Sequence, residues 1–290
     1  MPGKYATANA FRRALENLLN KTAEAEQIQV NRLRRQVAFD RLLARLFRVD
    51  PAPWFLKGGY ALELRFKNAR ATIDIDLTIQ RVEAANEDEA SQVVRDMLQE
   101  AAKVQLGDCF EYIIGPAAME LDAAPYGGAR YPVEASMDGR IFARFHLDAG
   151  IGDAVIQPLE IIECRDWLGF AGIGSPLVQT ISREQQFAEK LHAYTLPRST
   201  TNSRVKDLMD LALLIGSGEL TRQQVADALR LTFERRKTHA LPSELPPPPP
   251  DWRGRFRALA EECGLPADMD AVFTEVRAFY DRVLRGDTQI

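Results

Sequence analysis

The segment Phe55–Ile79, FLKGGYALELRFKNARATIDIDLTI, decides how the rest of the chain is read. Its last part, Ala71 to Gln80, alternates with a period of two. Ile73, Ile75, Leu77 and Ile79 therefore share one face of a strand, and Asp74, Asp76 and Thr78 share the other. The apolar face is core. Two carboxylates on one strand face repel each other unless they are solvated or bridged by a cation, and an Asp-Ile-Asp strand alone also suits an exposed edge. A divalent metal resolves the conflict: Mg²⁺ (or Mn²⁺) prefers hard oxygens, takes one or two carboxylates and completes its shell with water and phosphate. Ahead of the strand the pattern predicts a loop, then a short helix from Tyr60 to Phe66.

Gly58 and Gly59 open that helix. Bare backbone can approach a triphosphate without a Cβ clash, and amides at a helix N-terminus point toward negative charge. Farther along, Arg140 to Ala149 repeats the strand logic: Ile141, Ala143, Phe145, Leu147 and Ala149 face inward, opposite Arg140, Arg144, His146 and Asp148. If this strand pairs beside that of Asp74, Asp148 becomes a third carboxylate. Downstream, in EKLHAYTLPRSTTNSRVKDLMDLALLI, Lys190 lies between Phe187, Leu191 and Tyr194. Ser203 is the expected N-cap of the next helix. Asp207 and Asp210 share one face of it, with Arg204 and Lys206 close by, as an ion-pair network or as part of a site.

The remaining pattern predicts helices at Asn31–Phe47 and Glu87–Val104, and strands at Phe110–Ile114, Tyr131–Ala135, Ile141–Ala149 and Ile156–Cys164. Helices follow at Arg183–Tyr194, Arg204–Ile215, Thr221–Arg236 and from Trp252 to Leu284. The fold class is α/β (α+β): a mixed-sheet core flanked by helices, with a mostly helical C-terminal half. The expected division places residues 1–166 in the core with its basic N-terminal helices and 167–290 in a helical lobe that completes the site.

The chain of 290 residues is 46% hydrophobic and carries a formal charge of -4. That balance argues against a protein that coats polyanions generally. Residues 1–50 run the other way, with ten Lys and Arg, Lys4 among them, against five Asp and Glu, so a basic helical face there could meet RNA phosphates. No long uncharged apolar run and no secretory leader is present, so the expected compartment is the cytoplasm, with no membrane partner. Cys109, Cys164 and Cys263 are isolated and suggest neither a disulfide framework nor a thiolate metal site.

Taken together, KGGYALELR, TIDIDL, HLDAG, EKLHAY and RVKDLMDL resemble the AbiEii/AbiGii (MenT-like) toxin nucleotidyltransferases of the polymerase β-like nucleotidyltransferase superfamily, over about Phe55 to Ile215. The resemblance implies a mixed sheet flanked by helices and metal-dependent transfer of a nucleotide from an NTP. It also implies a toxin that modifies the tRNA acceptor end and blocks translation, paired with a cognate antitoxin. By the same resemblance the metal pair is Asp74 and Asp76, the nucleotide-binding glycines are Gly58 and Gly59, and the triphosphate lysine is Lys190, with Arg204 beside it. The later aspartate is Asp207, ahead of Asp210. Asp148 is expected to orient or deprotonate the attacking hydroxyl. The family pattern departs at Tyr60, where a Ser or Thr usually follows the glycines; the phenol is expected beside the nucleotide. An antibiotic or protein hydroxyl as acceptor, or an impaired nucleotide- or RNA-binding protein, are the alternatives.

Overall fold

The computed structural model describes residues 5–49, 51–121, 124–197 and 204–286. The chain forms two compact units that interleave in sequence: one holds the residues up to Tyr60, Ala71–Gly152 and Ile161–Thr180, the other Ala61–Arg70, Asp153–Glu160 and the residues from Ile181 onward. Among the described residues no helix is long and apolar enough to cross a membrane.

The first unit is built on a mixed sheet. In spatial order its strands are β3 (Phe110–Ile114), β5 (Gly128–Met137), β6 (Arg140–Ile151), β2 (Asp74–Ile79), β1 (Trp54–Lys57), β8 (Leu177–Thr180) and β7 (Glu160–Glu163), with the short β4 (Met119–Glu120) on β5. β2 runs parallel to β6 and antiparallel to β1. The expected loop before the glycines is thus partly strand: Trp54, Phe55 and Leu56 are buried, and β1 needs no alternation because both its faces are covered. Two assignments to the apolar faces are corrected. Ile73 is 57% exposed and precedes β2; Ile141 is 43% exposed, where the β5–β6 register shifts at Ala135/Ser136 and Phe142 turns inward instead. The strand expected over Ile156–Cys164 is confined to Glu160–Glu163.

Three helices of this unit are α1 (Ala8–Glu26), α2 (Val30–Leu46) and α4 (Glu87–Ala102). Thr7 caps α1 through Ala10 N, and Phe11, Leu15 and Leu19 form its buried stripe. In α4 Asn86 accepts from Glu89 N while Glu89 accepts from Ala85 N, a reciprocal cap. Helix α2 lies against β6, with the Phe39 ring 4.7 Å from that of Phe145. It also corrects the expected basic face. Arg41 and Arg45 are buried and share the carboxylate of Asp108 at 2.7 to 2.9 Å, while Arg12 donates to backbone carbonyls of Met137, Arg140 and Ile141. Burial alone would raise the Asp108 pKa, but hydrogen bonds and charge from Arg45, then Arg41, outweigh it and hold the carboxylate below its ordinary value. Lys4 lies outside the described residues.

The second unit is helical. Helix α3 (Gly58–Arg65) contributes Leu62 to its core, and α5 (Arg183–Thr195), α6 (Val205–Gly216), α7 (Arg222–Arg236), α8 (Arg253–Cys263) and α9 (Met269–Arg285) supply the rest. Phe187 and Leu191 of α5, Leu208 and Leu211 of α6, Val225 of α7 and Tyr280 of α9 are fully enclosed. The single C-terminal helical stretch expected from Trp252 to Leu284 is two helices, because Gly264 takes a left-handed conformation at φ 62 and closes α8.

Candidate active site

The pairing of β1, β2, β5 and β6 concentrates charge at one place in the first unit. Parallel pairing sets Asp74 opposite His146 and Asp76 opposite Asp148, so the strand of Asp148 does lie beside that of the aspartate pair. Antiparallel pairing of β1 sets Lys57 opposite Asp76, which brings the glycine turn onto that carboxylate. Gly58 has φ +67, and a Cβ added there would lie 2.0 Å from Asp76 Oδ2. Both the backbone conformation and the space therefore demand glycine. The Gly59 amide points at the same Oδ2, at 3.4 Å.

The sequence reading missed a cation inside this cluster. Arg130 on β5 faces Asp148 and donates to both its oxygens at 2.7 Å, and also reaches Asp74 Oδ2 at 3.2 Å. The hydrogen bonds that Arg130 donates to Asp148 raise the Arg130 pKa above its ordinary value, against the opposing effect of burial. The other oxygen of Asp74, Oδ1, is buried and accepts no hydrogen bond, with His146 Nδ1 3.4 Å away. The signal for Arg130 was in the alternation of Arg130, Pro132 and Glu134 against Ala129, Tyr131 and Val133, the same period that exposed Asp74 and Asp76.

This donor set fits a hard divalent cation held by two carboxylates. Asp74 offers an oxygen without a hydrogen bond, and Asp76 lies against a glycine turn with the Gly59 amide 3.4 Å from its Oδ2. Asp148 is committed through both oxygens to Arg130. Among the described residues no group of three His, Cys, Asp or Glu side chains closes around a metal position, so any ion here would be completed by water or substrate oxygens.

Tyr60 requires a correction. Its side chain is 1% exposed; its hydroxyl donates to Asp40 Oδ1 at 2.5 Å, and its ring stands edge-on to Phe39. The phenol therefore points into the core of the unit and not toward a nucleotide. Trp167 Nε1 donates to the other Asp40 oxygen at 2.8 Å. Burial raises the Asp40 pKa to about 7, although hydrogen bonds from Tyr60, Cys164 and Trp167 and the charge of Arg41 oppose it.

The second unit holds Lys190, Asp207, Asp210 and Arg204. Lys190 Nζ lies 2.7 Å from Asp210 Oδ2 and 3.3 Å from Asp207 Oδ1. Asp210 also takes a two-pronged contact from Arg70, at 3.0 and 2.8 Å, a partner the sequence reading did not single out. Burial alone would lower the Lys190 pKa; the charges of Asp210 and then Asp207 outweigh it and raise the value. For Asp210, burial works to raise the pKa, and Lys190 and Arg70 hold it below the ordinary range. Asp207 Oδ2 is buried without a hydrogen bond, with Arg204 Nε at 3.7 Å. Asp210 is thus consumed by internal cations, and Asp207 retains an uncommitted oxygen. Ser203, the expected cap of α6, lies outside the described residues.

Comparison with known proteins follows this geometry. No curated protein sequence matches the chain. Among solved structures it is similar to MenT4, a nucleotidyltransferase toxin from Mycobacterium tuberculosis H37Rv, with TM-score 0.59 and 16% identity over 94% of this chain and 90% of that one. It is also similar to JHP933 from Helicobacter pylori, with TM-score 0.46 and 14% identity over 88% of this chain and 92% of the other. At these identities the likeness concerns the fold, and the MenT4 match agrees with a mixed α/β nucleotidyltransferase architecture. The family described as "Nucleotidyl transferase AbiEii toxin, Type IV TA system" matches residues 41–281. With that span covering most of its 290 residues, the chain belongs to the AbiEii family of nucleotidyltransferase toxins.

Proposed function

We propose that the enzyme transfers a nucleoside monophosphate from an NTP to the 3′-hydroxyl at the acceptor end of tRNA, blocks translation by doing so, and is neutralised by a cognate antitoxin. The observation that carries the reading is the closure of the Gly58–Gly59 turn onto Asp76, with Asp74 beside it on the same strand face. A bound Mg²⁺ (or Mn²⁺) would supply Lewis-acid stabilisation of charge at the α-phosphoryl group, and Asp74 and Asp76 are the residues that would hold it. The Gly58 and Gly59 amides receive phosphate oxygens at the start of α3. In the second unit Lys190, which Asp207 and Asp210 hold in place, and Arg204 carry the positive charge that the family resemblance gives to phosphate binding. Asp148, oriented by Arg130, accepts a hydrogen bond from the attacking hydroxyl. The acceptor oxygen bonds to the α-phosphorus, the bond from that phosphorus to the bridging oxygen breaks, and pyrophosphate leaves. The acceptor proton passes to solvent.

The buried Tyr60 supports an active enzyme over an impaired binding protein, since its phenol does not intrude on the phosphate turn. The test is incubation of the chain with each labelled NTP, Mg²⁺ and total tRNA, beside Asp74→Ala. Label on tRNA with the intact chain alone is the expected result. NTP binding with no labelled acceptor of any kind would overturn the reading; label on a protein or a small hydroxyl compound would reassign the acceptor.

A further inference from the structure

A cavity of about 550 Å³ opens in the first unit beside Asp74. Its lining includes Arg35 of α2, Ile73, Ile113, Pro132, Phe145 and His146, and it leaves out Asp76, Gly58 and Gly59. It therefore adjoins Asp74, one member of the carboxylate pair, without reaching the glycine turn. Three features of its wall point to one kind of occupant.

The first is charge. Arg35 makes no hydrogen bond and no ion pair among the described residues, and its Nε is buried without a partner. Leaving a buried guanidinium nitrogen unmatched is costly unless a ligand completes it. Of the other charges in the wall, Arg144 pairs with Glu134 at 2.9 Å and Asp74 with Arg130 at 3.2 Å, which leaves Arg35 as the cation whose charge is not already matched. The second is apolar surface. Ile73 and Ile113 are 57% and 62% exposed, unusual for residues so close to a charged cluster, and Pro132 extends the same wall. A flat unstacked base, with one apolar face and polar edges, suits such a surface. The third is position: His146 and Asp74 form the edge nearest the carboxylates, with Nδ1 of the one 3.4 Å from Oδ1 of the other. A sugar hydroxyl placed there would face the reacting centre.

We propose that this cavity seats the 3′-terminal nucleotide of a single-stranded RNA acceptor, with Arg35 on its phosphate and the Ile73, Ile113 and Pro132 wall against its base. This rests on the nucleotidyl-transfer reading above and adds where, and through which chemistry, the acceptor is held. The volume is in the range of sites that take one small organic molecule, so it suits a single splayed nucleotide and not a stacked duplex end.

The experiment measures binding without turnover. A fluorescein-labelled RNA hexamer with an unpaired 3′ end is titrated with the intact chain, Arg35→Ala, Arg35→Lys and Ile113→Asp in the absence of NTP. A non-hydrolysable NTP analogue is titrated in parallel, and a thermal melt confirms folding of each variant. Arg35→Ala is expected to weaken hexamer binding about tenfold, the loss of one charge-assisted phosphate contact. Arg35→Lys should recover part of it, Ile113→Asp should weaken it comparably, and the affinity for the NTP analogue should not change. Hexamer affinity indifferent to both Arg35→Ala and Ile113→Asp overturns the proposal. Loss of affinity for the NTP analogue instead also overturns it, and gives the cavity to the donor nucleotide. The two readings fail separately: transfer to tRNA with an unaltered acceptor KM in Arg35→Ala sinks the cavity assignment alone. Arg35-dependent hexamer binding with no transfer to any RNA sinks the transfer reading while the RNA site stands.

Discussion

Two of the aspartate clusters among the described residues, one in each compact unit, are neutralised in opposite ways. In the second unit Asp207 and Asp210 meet Lys190, Arg70 and Arg204, so internal cations match or exceed the acids. In the first unit Asp74 and Asp148 meet one arginine, Arg130, with Lys57 opposite Asp76 in the strand register, His146 near Asp74 and one oxygen of Asp74 left without a hydrogen bond. Aspartates that the fold has already balanced hold structure together. Three carboxylates that meet fewer internal cations suit a cation from outside, and this contrast supports the proposal that Asp74 and Asp76, and not Asp210, would hold metal.

The comparison breaks first at Asp74. Asp74→Ala should reduce nucleotide transfer by about a thousandfold or more, because it removes ligand and charge stabilisation together. Its melting temperature should hold or rise slightly, since a like-charge contact is relieved. A fall of many degrees would place Asp74 with the structural acids. The reverse holds at Asp210, where alanine leaves Arg70 and Lys190 without their shared partner in the core. Urea unfolding should report a loss of about 3–5 kcal/mol. A loss below about 1 kcal/mol would show that this cluster is not the sealed one.

Acidity sharpens the contrast. The pKa of Asp210 is held below its unfolded value, so its contribution to stability is present above the unfolded value and disappears as pH falls through the folded one. Asp40 has the opposite sign: raised from 3.8 to about 7, it favours the folded state at low pH and loses that contribution as pH rises from about 4 to about 7. Asp40→Asn removes the titrating carboxyl while keeping an oxygen that can accept from Trp167 Nε1. It should remove on the order of 2 kcal/mol from the decline in unfolding free energy between pH 5 and pH 8. An unchanged slope would locate the pH dependence elsewhere. The smallest effect is expected at the ring that meets Asp40: Tyr60→Phe should cost about 1 kcal/mol of stability and leave NTP affinity within about twofold. A large loss of NTP affinity would return the phenol to the nucleotide.

Much of this was legible in the residues. Period-two alternation around Asp74, Asp76 and Asp148 gave the strands and the shared carboxylate face, and helical spacing gave the elements of the C-terminal half. Pairing between distant strands is what sequence does not print. That β5 lies against β6 and drops Arg130 onto Asp148 follows from the hairpin register, and without it the carboxylates look unopposed. Arg41 and Arg45 misled for a related reason: an arginine on an amphipathic helix reads as solvated, and only Asp108, 63 positions beyond Arg45, makes its burial tolerable. Tyr60 misled by analogy. A residue following two glycines was expected to face the ligand, but helical geometry turns its long ring down onto Phe39 and Asp40.

The contact between Gly58 and Asp76 has a genetic corollary. In a gene whose product harms its host, cells escape by acquiring lesions, and most missense lesions act by lowering the amount of folded protein. A codon change at position 58 adds a local cause: every alternative amino acid strains a backbone held at φ +67 and brings a side chain into the space of the Asp76 carboxylate.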